Sequence, residues 1–417
     1  MPTHAATLIN DTETERLLYK LVAPLATAAD IPSDRLKIHI INDDDFNAFV
    51  RGGEDVFVYT GLLKQITNPN ALQAVVAHEM GHVLGGHTAQ MSDRISAEMK
   101  RTMLIQALGI GLMVAGGNPS LGAGVMAGAS GVATQSVAAF TRDEERLADD
   151  MGVDLMVRAG QDPNGFITVL AQMNEMMGAI EARVNPNRIN HPLTTERLNN
   201  VKSKIKKLDV DKKYTVPDTD EYEMVRAKLV GYLDTPKQVL ALYPYSDKSD
   251  AGLYARAIAN MRSGNLDGAR MGTHTLISRH PQNPYFYELL GDIEYQFGHY
   301  DDSVSAYEKS LSLTGDAPQI QTALALVLSE RHKPSDRTRA IELAKRSILS
   351  APSPLAYWVL SRAYGDDDAG RSNWAMAEYY HLNGKHDTAK EYAKRAQKKL
   401  KKTDPEYIKA GDILNQK

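Results

Sequence analysis

The sequence predicts a predominantly helical α+β protein. Helices surround a small sheet in the first half, and the second half is an all-α solenoid of repeated helix pairs. Three observations predict this. Two short stretches within the first 63 residues read as strands, one alternating apolar and polar side chains and the other rich in Val, Phe and Tyr. Most of the remaining chain places its apolar residues three and four apart, the period of a helix with one buried face. Beyond about residue 250, Gly264 and Gly298 stand 34 residues apart in similar settings of small and apolar residues.

Taken in order, residues 10–25 suit a helix capped by Asp11, with Leu17, Leu18, Leu21 and Val22 on one face. LKIHIIND (36–43) reads as a strand, and EDVFVYTGLL (54–63) as a second, rich in Val, Phe and Tyr and preceded by the turn signal Gly52-Gly53. A helix is expected over 69–90. No charged residue lies between Arg101 and Arg142. The first apolar run there, MLIQALGIGLMVAGG, is about 15 residues, short of the ~20 that span a bilayer, and Asn118-Pro119-Ser120 breaks it. Residues 102–141 therefore read as a packed small-residue hairpin or a lid, and no stable membrane span is expected.

A helix over 141–160 would bury Leu147, Met151, Leu155 and Met156 and stop at Gly160, ahead of Pro163. Another helix covers 164–183. VNPNRINHPLTTERL (184–198) is a polar, proline-containing loop leading into a helix. KSKIKKLDVDKKYTVPDTDE marks a charged linker. The expected division is 1–205 for the first domain, 206–249 for the linker and 250–417 for the repeats. Around Gly298 stand Tyr287, Leu290, Gly291, Tyr300, Tyr307 and Pro318; around Gly264 stand Leu253, Ala257, Leu266, Ala269 and Pro281. That period and those small-residue positions resemble the tetratricopeptide repeat. Residues 339–352 look like the second helix of a further unit, and 373–400 like a full pair around Gly384.

Composition narrows the function mainly by exclusion. With 43% hydrophobic and 24% charged residues, the chain is ordinary for a globular protein. A net charge of −4 gives no argument for a nucleic-acid partner. The absence of cysteine excludes disulfides, a thiol nucleophile and thiolate metal sites. The first residues, MPTHAATLINDTETERLLYK, have neither the basic nor the apolar segment of an export leader, so the chain reads as cytoplasmic or as beginning after a removed leader.

The chemistry concentrates in AVVAHEMGHVLGGHTAQ. Four residues turn a helix by about 400°, so His78 and His82 project from one face, one turn apart, and both imidazoles can reach one ion at the ~2.0–2.1 Å of a zinc–nitrogen bond. Glu79, offset by about 100°, is poorly aimed to ligate the same ion but well aimed to take a proton from water beside it. This is the His-Glu-x-x-His pattern of metallopeptidases. His87 is a tempting third ligand. A metzincin would place that histidine six residues after the second one, where Thr88 stands; His87 is one place early and about 140° around the helix from His82. It reads instead as a polar or partly buried histidine near the helix end. The better third ligand is Glu145 in TRDEERLADDMG (141–152), with Asp149 one turn on to accept the free ring N–H of a zinc histidine. A solvated acidic face, shared with Asp143, Glu144 and Asp150, is the competing reading.

These residues carry a resemblance. FNAFVRGGEDVFVYTGLL (46–63), VVAHEMGHVLGGH (75–87), EERLADDMGVDLMVRAGQDP (144–163) and INHPLTTERL (189–198) match, in order, blocks of the HtpX and CAAX-prenyl-protease group of gluzincin metallopeptidases, in its tetratricopeptide-bearing, BepA-like (YfgC-like) branch. With the repeats, the resemblance covers nearly the whole chain. It implies a gluzincin-type peptidase domain with zinc on His78, His82 and Glu145, Glu79 as general base, and Asp149 holding a zinc histidine. It implies a role for His191, either as a fourth ligand that plugs the site or as a donor to the oxyanion of the tetrahedral intermediate. Arg197 is the other polar residue of that block, with a structural role. The strand at 54–60 would lie beside the metal cleft, where an edge strand could pair with substrate backbone. The resemblance also implies a periplasmic protease and chaperone acting on unfolded or misassembled proteins, together with the outer-membrane assembly machinery. The competing class is a non-catalytic repeat scaffold with a plugged zinc site. Glu79 speaks against degeneracy, because a scaffold has no use for a base there. A third class, an integral membrane protease, depends on residues 102–141.

Overall fold

In the computed structural model the described residues are 7–87, 90, 141–180, 191, 195–208, 212–331 and 333–415. They divide into two compact units, one holding Glu15–Glu223 and β1, the other running from Met224 onward and including Asn10–Thr14. Residues 102–140, and with them the hairpin, lid and membrane-contact readings, lie outside the described residues. Among the described residues no helix is long and apolar enough to cross a membrane.

The first unit is built on a four-stranded sheet, β1 (Thr7–Ile9), β2 (Lys37–Asn42), β3 (Ala48–Arg51) and β4 (Asp55–Tyr59), in the order β1-β2-β4-β3. β2 and β4 run parallel, pairing Ile38 with Val56 and Ile40 with Val58; the outer pairs are antiparallel. Ile40, Val56 and Val58 are buried, as their alternation requires. α1 (Thr12–Ala28) brings Leu17, Leu18, Leu21, Val22 and Leu25 into this core, and Asp11 caps it by accepting the Thr14 N–H at 2.8 Å.

Two expectations about the sheet need correction. The second strand ends at Tyr59, and a short helix, α2 (Thr60–Gln65), follows. The Thr60 hydroxyl donates to the Asp43 carbonyl at 2.9 Å, and a Cβ on Gly61 would sit 2.2 Å from the Asp44 carbonyl oxygen. The chain is thus pinned to the β2–β3 connection and turned out of the sheet. β4 is also interior, so it is no edge for a substrate. Among the described residues the edge strands are β1 and β3; β3 is the one next to β4, and its four residues are too short to show a clear alternation.

α3 (Pro69–Leu84) is capped by Asn68, with Pro69 in its first turn, and is buried on nearly all sides. It packs against α4 (Arg142–Arg158) and α5 (Gly165–Ile180); α6 (Thr195–Ile205) packs on α4 and α5. α4 buries Leu155 and Met156 as expected, but Met151 is only half-buried and Leu147 points outward. Leu147 is 44% exposed, while Glu145, Ala148, Asp149, Gly152, Val153, Leu155 and Met156 are buried. The inner face admits small residues and carboxylates because α3 lies against it at backbone distance. A Cβ on Gly81 would be 2.5 Å from the Ala148 carbonyl oxygen, and one on Gly152 would be 3.0 Å from that of Ala77.

A prediction follows from this contact. Alanine favours a helix over glycine by about 1 kcal/mol, but overpacking a tight contact costs about 1–3 kcal/mol, and here the obstacle is backbone. Gly81→Ala is therefore expected to lower the denaturant midpoint and, by spreading α3 from α4, to weaken metal binding. Unchanged stability with undiminished metal content would refute the account.

The stretch read as a linker contains α7 (Thr219–Leu233) and α8 (Pro236–Leu242), which bury Val225, Ala227, Val230 and Val239. Flanking Pro, Asp and Lys residues obscure their apolar spacing in the sequence. Beyond them come helix pairs: α9/α10 (Asp250–Arg262, Leu266–Arg279), α11/α12 (Pro284–Gln296, Tyr300–Thr314), α13/α14 (Pro318–Glu330, Pro334–Ser350), α15/α16 (Pro354–Tyr364, Ala369–Leu382) and α17/α18 (His386–Lys399, Pro405–Asn415). The first members of the first three pairs start at Asp250, Pro284 and Pro318, the 34-residue period again. Gly264 and Gly298 sit at the turn within a pair with φ of 78° and 80°, a left-handed conformation that favours glycine. The repeats thus have a physical period as well as a sequence one.

Candidate metal centre

α3 and α4 bring three of these groups together, and His191 adds a fourth. Nε2 of His78 and of His82 lie 3.1 Å apart, and Glu145 places Oε1 3.3 Å from the latter and Oε2 3.5 Å from the former. Nδ1 of His191 stands 2.8 Å from Glu145 Oε1 and 3.3 Å from His78 Nε2. One ligand atom from each of the four residues lies within 4.8 Å of the others. Bonds of ~2.0–2.1 Å arranged tetrahedrally put neighbouring ligand atoms about 3.3–3.4 Å apart, so these separations suit an ion of zinc's size.

The charges suit a divalent cation too. Glu79, Glu145 and Asp149 are buried together, and the permanent cation touching the latter two among the described residues is Arg197. Its Nε and Nη2 donate to the two oxygens of Asp149, both at 2.8 Å, and its Nη1 lies 2.5 Å from Glu145 Oε2. Beyond that ion pair, Glu145 Oε2 is buried without a hydrogen-bond partner. Buried charges of one sign are costly unless compensated, and a bound cation would compensate these. Nitrogen and oxygen donors of this mix suit a divalent transition ion such as zinc.

Local sequence explains the placement. Thr141 and Glu144 form a reciprocal cap on α4: each backbone N–H donates to the other's side chain, at 2.8 and 3.2 Å. Glu144 is thus spent on the cap and Asp143 faces solvent, while Glu145 and Asp149, one turn apart, point inward at 1% and 3% exposure. Asp149 Oδ1 lies 2.8 Å from Nδ1 of His78, where it can hold that ring with Nε2 toward the centre. His87 is outside the ligand group; its Nδ1 faces that of His82 at 3.1 Å.

Burial pushes the Glu79 carboxyl above the ordinary glutamate range, against the pull of His191 and His78. Burial also lowers His82 to about 4, so it is neutral and able to ligate at physiological pH. Glu145 is driven up by burial but down further by its hydrogen bonds with His191 and His82, and ends well below the usual carboxylate range. His191 is lowered by burial and raised more strongly by Glu79 and Glu145; its Nε2 lies 3.4 Å from Glu79 Oε1.

Sequence reasoning missed a cavity of about 60 Å³ beside His78 and Glu79. Phe46 and Ala48 wall it from the sheet side, Leu62 from α2, and Val169, Leu170 and Met173 from α5. Helical spacing on α5 could have suggested an apolar face, but not that part of it borders a cavity rather than filling the core.

Comparison with known proteins agrees with this geometry. Peptidase family M48 matches residues 12–205. The chain is 24% identical over 343 residues to the beta-barrel assembly-enhancing protease of Escherichia coli (strain K12), covering 80% of this chain and 68% of that protein. It is 22% identical over 365 residues to the protein of the same name from Yersinia pestis, covering 85% and 73%. The metalloprotease YcaL of Escherichia coli (strain K12) is 29% identical over 162 residues, covering 39% and 59%. Among solved structures, a thermophilic TPR protein from Thermus thermophilus aligns with 47% of this chain and 94% of its own, at 17% identity and a TM-score of 0.27. Residues 12–205 form a peptidase family M48 domain, and the chain that carries it is a metalloendopeptidase related to the beta-barrel assembly-enhancing proteases.

Proposed function

We propose that this chain is a zinc endopeptidase of the bacterial periplasm that cleaves unfolded or misassembled outer-membrane proteins. The observation that carries the catalytic part is the close group of His78, His82, Glu145 and His191, one ligand atom of each within 4.8 Å of the others, with Glu79 beside it. The substrate class and the compartment rest on the relatives named above and on the family resemblance.

In this proposal His78, His82 and Glu145 hold the ion, which when bound polarises the substrate carbonyl and makes a water acidic. Glu79 takes one proton from that water and delivers it to the amine that leaves as the peptide bond breaks. Asp149 and Arg197 keep His78 and Glu145 in place. The substrate backbone lies along the edge strand β3, where main-chain hydrogen bonds accept many sequences. The side chain flanking the scissile bond enters the cavity beside Glu79, so it is apolar. The repeat domain, from about residue 250, offers a surface to clients or to the assembly machinery.

Metal analysis of the purified full chain should find one zinc per molecule. Cleavage of an unfolded β-rich outer-membrane protein should be lost on chelation. In a peptide library, leucine at the position that fills the cavity should be preferred over aspartate by at least about tenfold, since even one methylene in an apolar pocket is worth about 10–200-fold. Cleavage indifferent to that position would remove the cavity from the account. A chain that binds zinc but never cleaves, even with clients present, would instead be the plugged scaffold.

A further inference from the structure

His87 lies outside the ligand group, yet it is 3% exposed and built into the centre. α3 ends at Leu84, Gly86 turns the chain with φ of 71°, and His87 comes back against the helix end. There its ring centroid is 5.2 Å from that of His82 at an interplanar angle of 72°. A Cβ on Gly85 would stand 2.7 Å from His87 Nε2 and 2.8 Å from Cε1, so the ring occupies a space that only glycine leaves open. The Gly-Gly-His sequence is thus a local device for seating one imidazole against another.

We propose that His87 is a positioning residue of the metal centre: its Nδ1 accepts the Nδ1 proton of His82 and so fixes the tautomer and aim of that ligand. Two ring nitrogens 3.1 Å apart share one proton, one donating and the other accepting. His82 Nε2 points at the ligand group, 3.1 Å from His78 Nε2 and 3.3 Å from Glu145 Oε1, so that nitrogen must keep its lone pair for the ion. A neutral His82 then carries its proton on Nδ1, and His87 is the acceptor. Each histidine ligand on α3 thereby has a side chain against its Nδ1, Asp149 at 2.8 Å for His78 and His87 at 3.1 Å for His82. An imidazole orients His82 without adding a fourth carboxylate to a site that already buries three.

This rests on the metal-binding reading, and the test separates the two. Full-length wild type, His87→Phe and His87→Asn are titrated with Zn²⁺ against a chelator, and their Co²⁺ absorption spectra and metal-free melting temperatures are compared. Phenylalanine fills the space without an acceptor; asparagine returns an oxygen near the position of Nδ1. One metal per chain is expected in each. Affinity should fall about 10–100-fold in His87→Phe, with a changed Co²⁺ spectrum, and should largely return in His87→Asn. Gly85→Ala, which displaces the ring without removing it, should reproduce the loss should His87→Phe fail to fold. Wild-type affinity in both His87→Phe and Gly85→Ala overturns the inference alone. Equal weakness of the Phe and Asn variants makes His87 a packing residue and also overturns it. A wild-type chain that takes up no metal overturns the inference together with the metal centre.

Discussion

Glu79→Gln is expected to lower the cleavage rate by about 10²–10⁴-fold, equivalent to roughly 3–5 kcal/mol of barrier, while leaving zinc bound. Glutamine keeps the shape and much of the hydrogen bonding of glutamate but cannot take a proton. Glu79 is not one of the four clustered ligand groups, so its replacement leaves the metal site intact. The buried carboxyl also predicts a pH dependence. Its pKa is raised, so the base becomes protonated, and activity is lost, as pH falls through a value above the ordinary glutamate range. That acid limb should vanish from the residual activity of the variant. A Glu79→Gln protein that cleaves at the wild-type rate, with zinc present, would show that Glu79 is not the base.

Parts of this molecule are legible in sequence because they depend on periodicity alone. The helix sets a four-residue step, so His78 with His82 and Glu145 with Asp149 could be paired without coordinates. The 34-residue spacing of Gly264 and Gly298 reports a turn that needs a left-handed residue in each repeat. What stayed hidden depends on contacts between distant segments. The edge position of β3 follows from strand order, which four residues of alternation cannot encode. The exposure of Leu147 follows from Gly81 and Gly152 letting α3 and α4 touch, which turns the carboxylate face of α4 inward. A helix running on to residue 90 would carry His87 out of phase with His82. Ending it at Leu84 and turning at Gly86 brings the ring back to His82. The cavity beside Glu79 draws walls from the sheet, α2 and α5 at once, and no local pattern announces it.

His191→Ala is expected to retain zinc and to raise basal proteolysis, with less dependence on a partner or client. A His₂Glu zinc site works through an open fourth position. His191 Nδ1 stands at that corner, close to both Glu145 and His78, while its Nε2 faces the base Glu79 at 3.4 Å. As a latch, one ring would block the position that water needs and occupy the carboxylate proposed to activate it. Because His191 is supplied from outside the helices that carry the other ligands, its removal leaves His78, His82 and Glu145 where they are. The opposite role predicts the opposite sign. If His191 instead donates to the oxyanion of the tetrahedral intermediate, its loss should lower the rate by about 10²–10³-fold, the usual cost of one such donor. Zinc content and cleavage rate of this single variant, measured with and without an unfolded client, separate the latch from the donor. A rate unchanged under both conditions would exclude both roles.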